Sequence, residues 1–134
     1  MPVRGLDHVA ITCLDIEATL SFYKRVLGAT TLYEDEWRAG KIPVVLLQVG
    51  ESRMSIHDAA SPAKPHANLP TPGSEDVCFR FDGPIADAQA QLAAESVEVL
   101  EGPVPRPAAD GKLGQSVCFR DPDGNLLEFL STDG

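Results

Sequence analysis

Cysteine is scarce: Cys13, Cys78 and Cys118 are an odd number with no close pair. That rules out a disulfide framework as the organising element and fits a reducing cytosol. No window approaches the roughly 18–20 uncharged apolar residues that a membrane-spanning helix needs. The opening MPVRGLDH lacks the apolar segment of a secretory signal, so a cytoplasmic location is expected. Basic residues are also few, 11 Lys and Arg against 20 Asp and Glu, for a net charge of −9 without any basic cluster. Nucleic acid and anionic membrane surfaces are therefore not expected partners, because phosphate binding needs concentrated positive charge. Short ligand motifs of the CxxC or HExxH kind are missing as well, so any metal site must be assembled from residues far apart in the chain.

What is present suits a small globular domain. At 134 residues the chain has the size of one domain, and 43% apolar residues can build a core. LDHVAITCLD alternates as a strand does, with Val9, Ile11 and Cys13 on one face and His8, Ala10 and Thr12 on the other. Asp15 suits a helix N-cap, and Ile16, Leu20, Tyr23 and Leu27 recur at helical spacing up to Gly28, where a C-cap glycine belongs. ATTLYEDEW reads as a second strand, Arg38–Lys41 as a turn, IPVVLLQVG as a third strand and RMSIHDAA as a fourth. The segment 59–74, with four prolines, reads as a surface connector.

Beyond the connector the order repeats. EDVCFRF reads as a strand, PIADAQAQLAAES as a helix with Pro84 in its first turn, and VEVLEGPV as a strand. Pro103–Gly114 reads as a loop, followed by the strand SVCFRD, the turn DPDGN and the strand LLEFLS. The expected organisation is one domain over 1–134 made of two strand–helix–strand–strand–strand modules, about 1–60 and 74–134.

Duplication gives the polar residues a meaning. A sheet covered by a helix on one face leaves the other free to line a cavity. His8, His57, Asp76 and Glu128 all fall on that free face; His8 and Asp76 begin a module, and His57 and Glu128 lie in its last strand. Two imidazoles and a carboxylate suit Zn, Ni, Mn or Fe as the divalent ion. His8, His57 and Glu128 are thus the expected metal ligands. Asp76 can be a further ligand, a catalytic base or a group orienting an imidazole. Arg80 and Arg120 share the parity of Asp76 and can bind an anionic substrate group, or equally pair with neighbouring acids. Cys78 and Cys118 share it too, and free cysteines of this kind usually fill space. His66, in the connector, is expected to be solvated.

Several of these segments carry a resemblance. LDHVAITCLDIEATLSFYKRVLG resembles the opening, and FRDPDGNLLEFL the closing signature, of the vicinal oxygen chelate superfamily (glyoxalase, bleomycin resistance and dioxygenase proteins). The stretch SIHDAA…PTPGSEDVCF is similar to its short, single-domain glyoxalase-like branch. The resemblance spans essentially the whole chain. It implies an α+β fold of paired modules, two four-stranded mixed sheets closing round a metal-binding cavity with helices outside, usually in a homodimer. By position it implies His8 as the first-strand ligand and Glu128 as the last-strand ligand. The fourth-strand place, commonly Glu in glyoxalase I, falls to His57, and the fifth to Asp76.

The activity so implied is a metal-dependent lyase or isomerase of glyoxalase I type acting on a small α-oxo compound or thiohemiacetal through an enediolate, with Glu128 or Asp76 moving the proton. Two alternatives share the residues: an Fe(II) extradiol-type dioxygenase, and a metal-free protein that sequesters a drug or metabolite.

Overall fold

The computed structural model describes residues 2–134; Met1, the first residue of the first module as read from the sequence, lies outside them. The chain divides into two compact units, one running to Gly73 and the other from Ser74 to Gly134.

The first unit comprises β1 (Val9–Cys13), α1 (Ile16–Leu27), β2 (Thr30–Leu32), α2 (Glu34–Arg38), β3 (Val45–Val49) and β4 (Ser52–Asp58). Its sheet runs β1-β4-β3-β2, with β1 parallel to β4 and the other pairs antiparallel. α1 starts where Asp15 Oδ1 accepts from the Ala18 N–H (3.2 Å) and stops at Gly28, whose left-handed φ of 68° admits glycine without steric cost. The helix lies against β3 and β4. Ile16, Leu20, Phe22, Tyr23 and Val26 are buried on its side, and Ile11, Cys13, Val45, Leu47, Met54 and Ile56 on the sheet's. Each large apolar side chain so buried contributes about 1.5–3 kcal/mol relative to exposure. The opposite face is therefore the one that carries His8, Ala10, Thr12, Arg53, Ser55 and His57.

The second unit repeats the order less one helix: β5 (Asp76–Arg80), α3 (Ile85–Ala94), β6 (Glu101–Pro107), β7 (Leu113–Arg120) and β8 (Leu126–Ser131). Its sheet runs β5-β8-β7-β6, again with the first pair parallel. α3 packs on β7 and β8, whose Val117, Phe119, Leu127 and Phe129 are buried. The expected class, α+β with two four-stranded mixed sheets of matching order, is what the chain adopts. No helix among the described residues is long and apolar enough to cross a membrane.

Two sequence expectations need correction. ATTLYEDEW is a strand only as far as Leu32, since Glu34–Arg38 forms α2. Three acids in the first turn and Arg38 in the last complement the helix dipole. Glu34 also binds the Thr31 hydroxyl, Lys24 and Arg38, which ties α2 to the strand before it and to α1. The segment Pro103–Gly114 is not a loop throughout. β6 continues to Pro107 and β7 begins at Leu113, because β6 is an edge strand, where proline's missing N–H costs no ladder bond.

Candidate metal centre

In the second unit the turn between β7 and β8 sets the site. Asp121 Oδ1 accepts from the N–H groups of Asp123 (3.0 Å) and Asn125 (2.9 Å), and Asp121 Oδ2 from Asn125 Nδ2 (2.8 Å). Asn125, almost fully buried, then accepts from the Glu75 N–H at 2.9 Å, and the Leu126 N–H donates to the Glu75 carbonyl at 3.0 Å. The DPDGN turn thereby clamps the start of β5 to the start of β8. Asp76 is registered beside Leu126, and Cys78 beside Glu128.

Asp76 and Glu128 are consequently diagonal neighbours on one face. A strand spacing of ~4.8 Å and a two-residue offset at ~3.3 Å each put their Cα atoms roughly 8 Å apart, so both carboxylates can reach a common point. Glu128 is half-buried, and Asp76 is exposed. On the far side of Glu128 the register places Cys118, giving a row Cys78–Glu128–Cys118 across three strands.

Both thiols respond to that carboxylate. Desolvation, then the charge and hydrogen bonding of Glu128, push Cys78 up to about 12. Cys118 is raised as well, first by desolvation and then by Glu128 and Glu101. Neither is primed as a nucleophile, since the thiolate is the reactive form.

In the first unit, His8 lies immediately before β1, with its side chain 47% exposed and Nδ1 at 2.8 Å from Asp7 Oδ1. The parallel register of β1 and β4 sets Ala10 beside Ser55 and Thr12 beside His57. His57 is therefore level with a residue four positions beyond His8, roughly 13 Å along an extended strand. Two imidazoles on one cation need their ligating nitrogens within about 4 Å of each other, given bonds of ~2.0–2.1 Å. The first unit does not bring His8 and His57 together in that way.

His57 is engaged from its own strand and from β1. Ser55 Oγ and His57 Nε2 are 3.1 Å apart, and Cys13 Sγ donates to the His57 carbonyl at 3.5 Å. Burial, and then the charges of His8 and His66, hold the His57 imidazole below its ordinary value. His66 is exposed, its ring nitrogen Nδ1 2.8 Å from the Ala67 carbonyl.

Comparing the two registers identifies positions that sequence reading alone paired differently. Two residues beyond Asp76, Cys78 meets Glu128; two residues beyond His8, Ala10 meets Ser55. The counterpart of Glu128 in the first unit is thus Ser55, with His57 one pleat further along. Asn125, which clamps the two strand starts, was not singled out from the sequence, and its signal was present as the last residue of DPDGN.

Arg80 is committed locally. Its Nη2 donates to Thr132 Oγ1 at 2.6 Å and to Asp110 Oδ2 at 3.2 Å, which is the salt-bridge alternative. Arg120 Nη1 donates to the Gly124 carbonyl at 3.2 Å. The register places Arg120 and Asp76 on either side of Leu126.

Among the described residues, neither unit by itself clusters three His, Cys, Asp or Glu side chains for a metal ion. Taken unit by unit, the donors suit a divalent cation by type: an exposed imidazole at the head of β1 in the first, and two carboxylates on one face of the sheet in the second. Imidazole nitrogen and carboxylate oxygen are donors that Zn, Mn, Fe or Ni accept.

Residues 5–129 match the model of the Glyoxalase/Bleomycin resistance protein/Dioxygenase superfamily. The chain is 39% identical to the glyoxalase domain-containing protein RDO1 of Mycosarcoma maydis, over 98% of this chain and 70% of that protein. It is 35% identical to the virulence protein STM3117 of Salmonella typhimurium, over 96% of this chain and 85% of that one. The crystal structure of STM3117 superposes with a TM-score of 0.87 at 34% identity, covering 98% of each chain. A lactoylglutathione lyase from Agrobacterium tumefaciens shares the fold at a TM-score of 0.70 and 21% identity, over 97% of this chain and 95% of that one.

Proposed function

The chain belongs to the Glyoxalase/Bleomycin resistance protein/Dioxygenase superfamily, and from that premise we propose that it is a divalent-metal-dependent lyase or isomerase of glyoxalase type. Its substrate is a small α-oxo compound or thiohemiacetal. His8, Asp76 and Glu128 hold the cation. The single observation that carries this reading is the β5–β8 register, which puts Asp76 and Glu128 two residues apart on one face. Two carboxylates on one face are oxygen donors that can converge on a common cation.

When bound, the cation supplies Lewis acidity, making a carbon–hydrogen bond beside a carbonyl more acidic. The rest falls to the protein. Asp76 and Glu128 would hold the cation from the second sheet. Cys78 and Cys118 flank Glu128 in one row across the sheet. Arg120, which donates to the Gly124 carbonyl, can turn toward an anionic substrate group. Arg80 stays with Asp110.

The test is turnover. Protein loaded with Ni²⁺ or Zn²⁺ is given the hemithioacetals of methylglyoxal with several thiols, and product is followed by NMR. Formation of the 2-hydroxyacyl thioester supports the reading. An unchanged mixture with every thiol removes the reaction while leaving the metal ligands to be tested separately.

A further inference from the structure

The metal-ligand reading above leaves His57 without a task, yet its ring is held in a defined place. We propose that His57, positioned by Ser55, is the acid–base group of this site and not a ligand of its cation. The inference rests on the assignment of the cation to His8, Asp76 and Glu128.

Three observations support it. The position that corresponds to Glu128 in the first unit is occupied by Ser55, a hydroxyl with little affinity for a divalent ion when neutral. His57 stands one pleat away on the same strand and face, level with Thr12 and not with His8. Its ring is bound by Nε2 to Ser55 Oγ at 3.1 Å, and Ser55 is only 3% exposed, so water does not compete for that bond. A half-buried imidazole on an open sheet face, oriented by a buried hydroxyl, has the arrangement of a base with its orienting partner.

The chemistry balances without another reagent. With Nε2–H donating to Ser55 Oγ, Nδ1 holds the free electron pair. The substrate carbon–hydrogen bond breaks and an Nδ1–H bond forms. The electron pair left behind spreads on to the adjoining carbonyl oxygen. The imidazolium, exchanging its proton with solvent, then protonates the neighbouring carbon while the hydroxyl proton of the first carbon passes to the new oxyanion. One carbon is oxidised as its neighbour is reduced, no outside oxidant is needed, and the ring ends neutral. Ser55 touches no reacting atom and acts through His57 as a positioning residue.

The experiment has two readouts on one set of proteins: Ni²⁺ affinity by calorimetry, and solvent-deuterium exchange into hydroxyacetone and the hemithioacetal of methylglyoxal by NMR. His8→Ala is expected to weaken Ni²⁺ binding by about 100-fold or more. His57→Ala and His57→Gln are expected to keep it within about threefold and to lose exchange by about 100-fold. Because Gln can keep a hydrogen bond to Ser55, agreement between the two variants separates lost chemistry from lost folding. Ser55→Ala is expected to lower kcat with KM unchanged. If the His57 variants lose Ni²⁺ as His8→Ala does, His57 is a ligand and the inference is overturned alone. Full exchange by those variants, or none by Ni²⁺-loaded wild type, overturns it equally. A wild type that binds no Ni²⁺ overturns the site assignment beneath it.

Discussion

Ser55 Oγ lies 3.1 Å from His57 Nε2, on the same strand and face, with Ser55 almost wholly shielded from solvent. A shielded hydroxyl with a ring nitrogen as partner is a real contributor to stability, and a net ~0.5–1.5 kcal/mol is the usual range. Ser55→Ala should therefore unfold at lower denaturant, by about 1 kcal/mol, with the m-value unchanged. An unaltered midpoint would show that the bond is not maintained in solution.

In the metal-free protein Cys78 should be a sluggish thiol. Its ionisation is pushed up to about 12, first by desolvation and then by the charge and hydrogen bonding of Glu128, so little thiolate exists at pH 8. Glu128→Gln removes the second and third causes and leaves the first. Reaction of Cys78 with a disulfide reagent should become severalfold faster in that variant, yet stay slower than that of free cysteine. A wild-type Cys78 that reacts as fast as free cysteine would contradict the coupling.

The tie between α2 and α1 should be lost in acid. Hydrogen bonds from Thr31, Arg38 and Lys24 hold Glu34 near 2 against an ordinary 4.5. A carboxyl whose value is lowered on folding stabilises the fold fully above ~4.5 and loses that contribution as pH falls toward 2. Partly exposed ion pairs are individually weak, so Glu34→Gln should cost about 1 kcal/mol at pH 7 and close to nothing near pH 2. An equal cost at both pH values would show that charge is not the cause.

Gly114 is required by close approach. A Cβ there would sit 2.5 Å from the Ser131 carbonyl oxygen and 3.0 Å from a Leu130 methyl, between β7 and β8. Gly114→Ala must push apart the strands that carry Cys118 and Glu128. Overpacking of this kind costs about 1–3 kcal/mol, measurable by chemical denaturation. A neutral substitution would mean that β7 and β8 are less closely paired than described.

Much of this architecture was legible because alternation of apolar and polar residues fixes which face each strand side chain joins. That parity placed His8, His57, Asp76 and Glu128 on the uncovered faces, and Asp15 and Gly28 marked the ends of α1. What parity cannot give is register along the neighbouring strand. Sliding β4 by two residues against β1 leaves every side chain on its face, so parity put His57 on its face without revealing that Ser55 is the residue paired with Ala10. The prolines at 103, 105 and 107 misled for a related reason: they bar a central strand, but β6 is an edge. The α2 segment was hidden because Thr30–Leu32 is a strand, and the helix-forming acids follow it after a single left-handed residue, Tyr33.

The central claim is one divalent cation on His8, Asp76 and Glu128. Its most direct test is the metal content of the protein as purified and after reconstitution, alongside His8→Ala, Asp76→Ala and Glu128→Gln. The account predicts about one equivalent per chain in the wild type and severe loss in each variant. Less than about a tenth of an equivalent in the wild type, not recovered on reconstitution with Zn²⁺, Ni²⁺, Mn²⁺ or Fe²⁺, would contradict it.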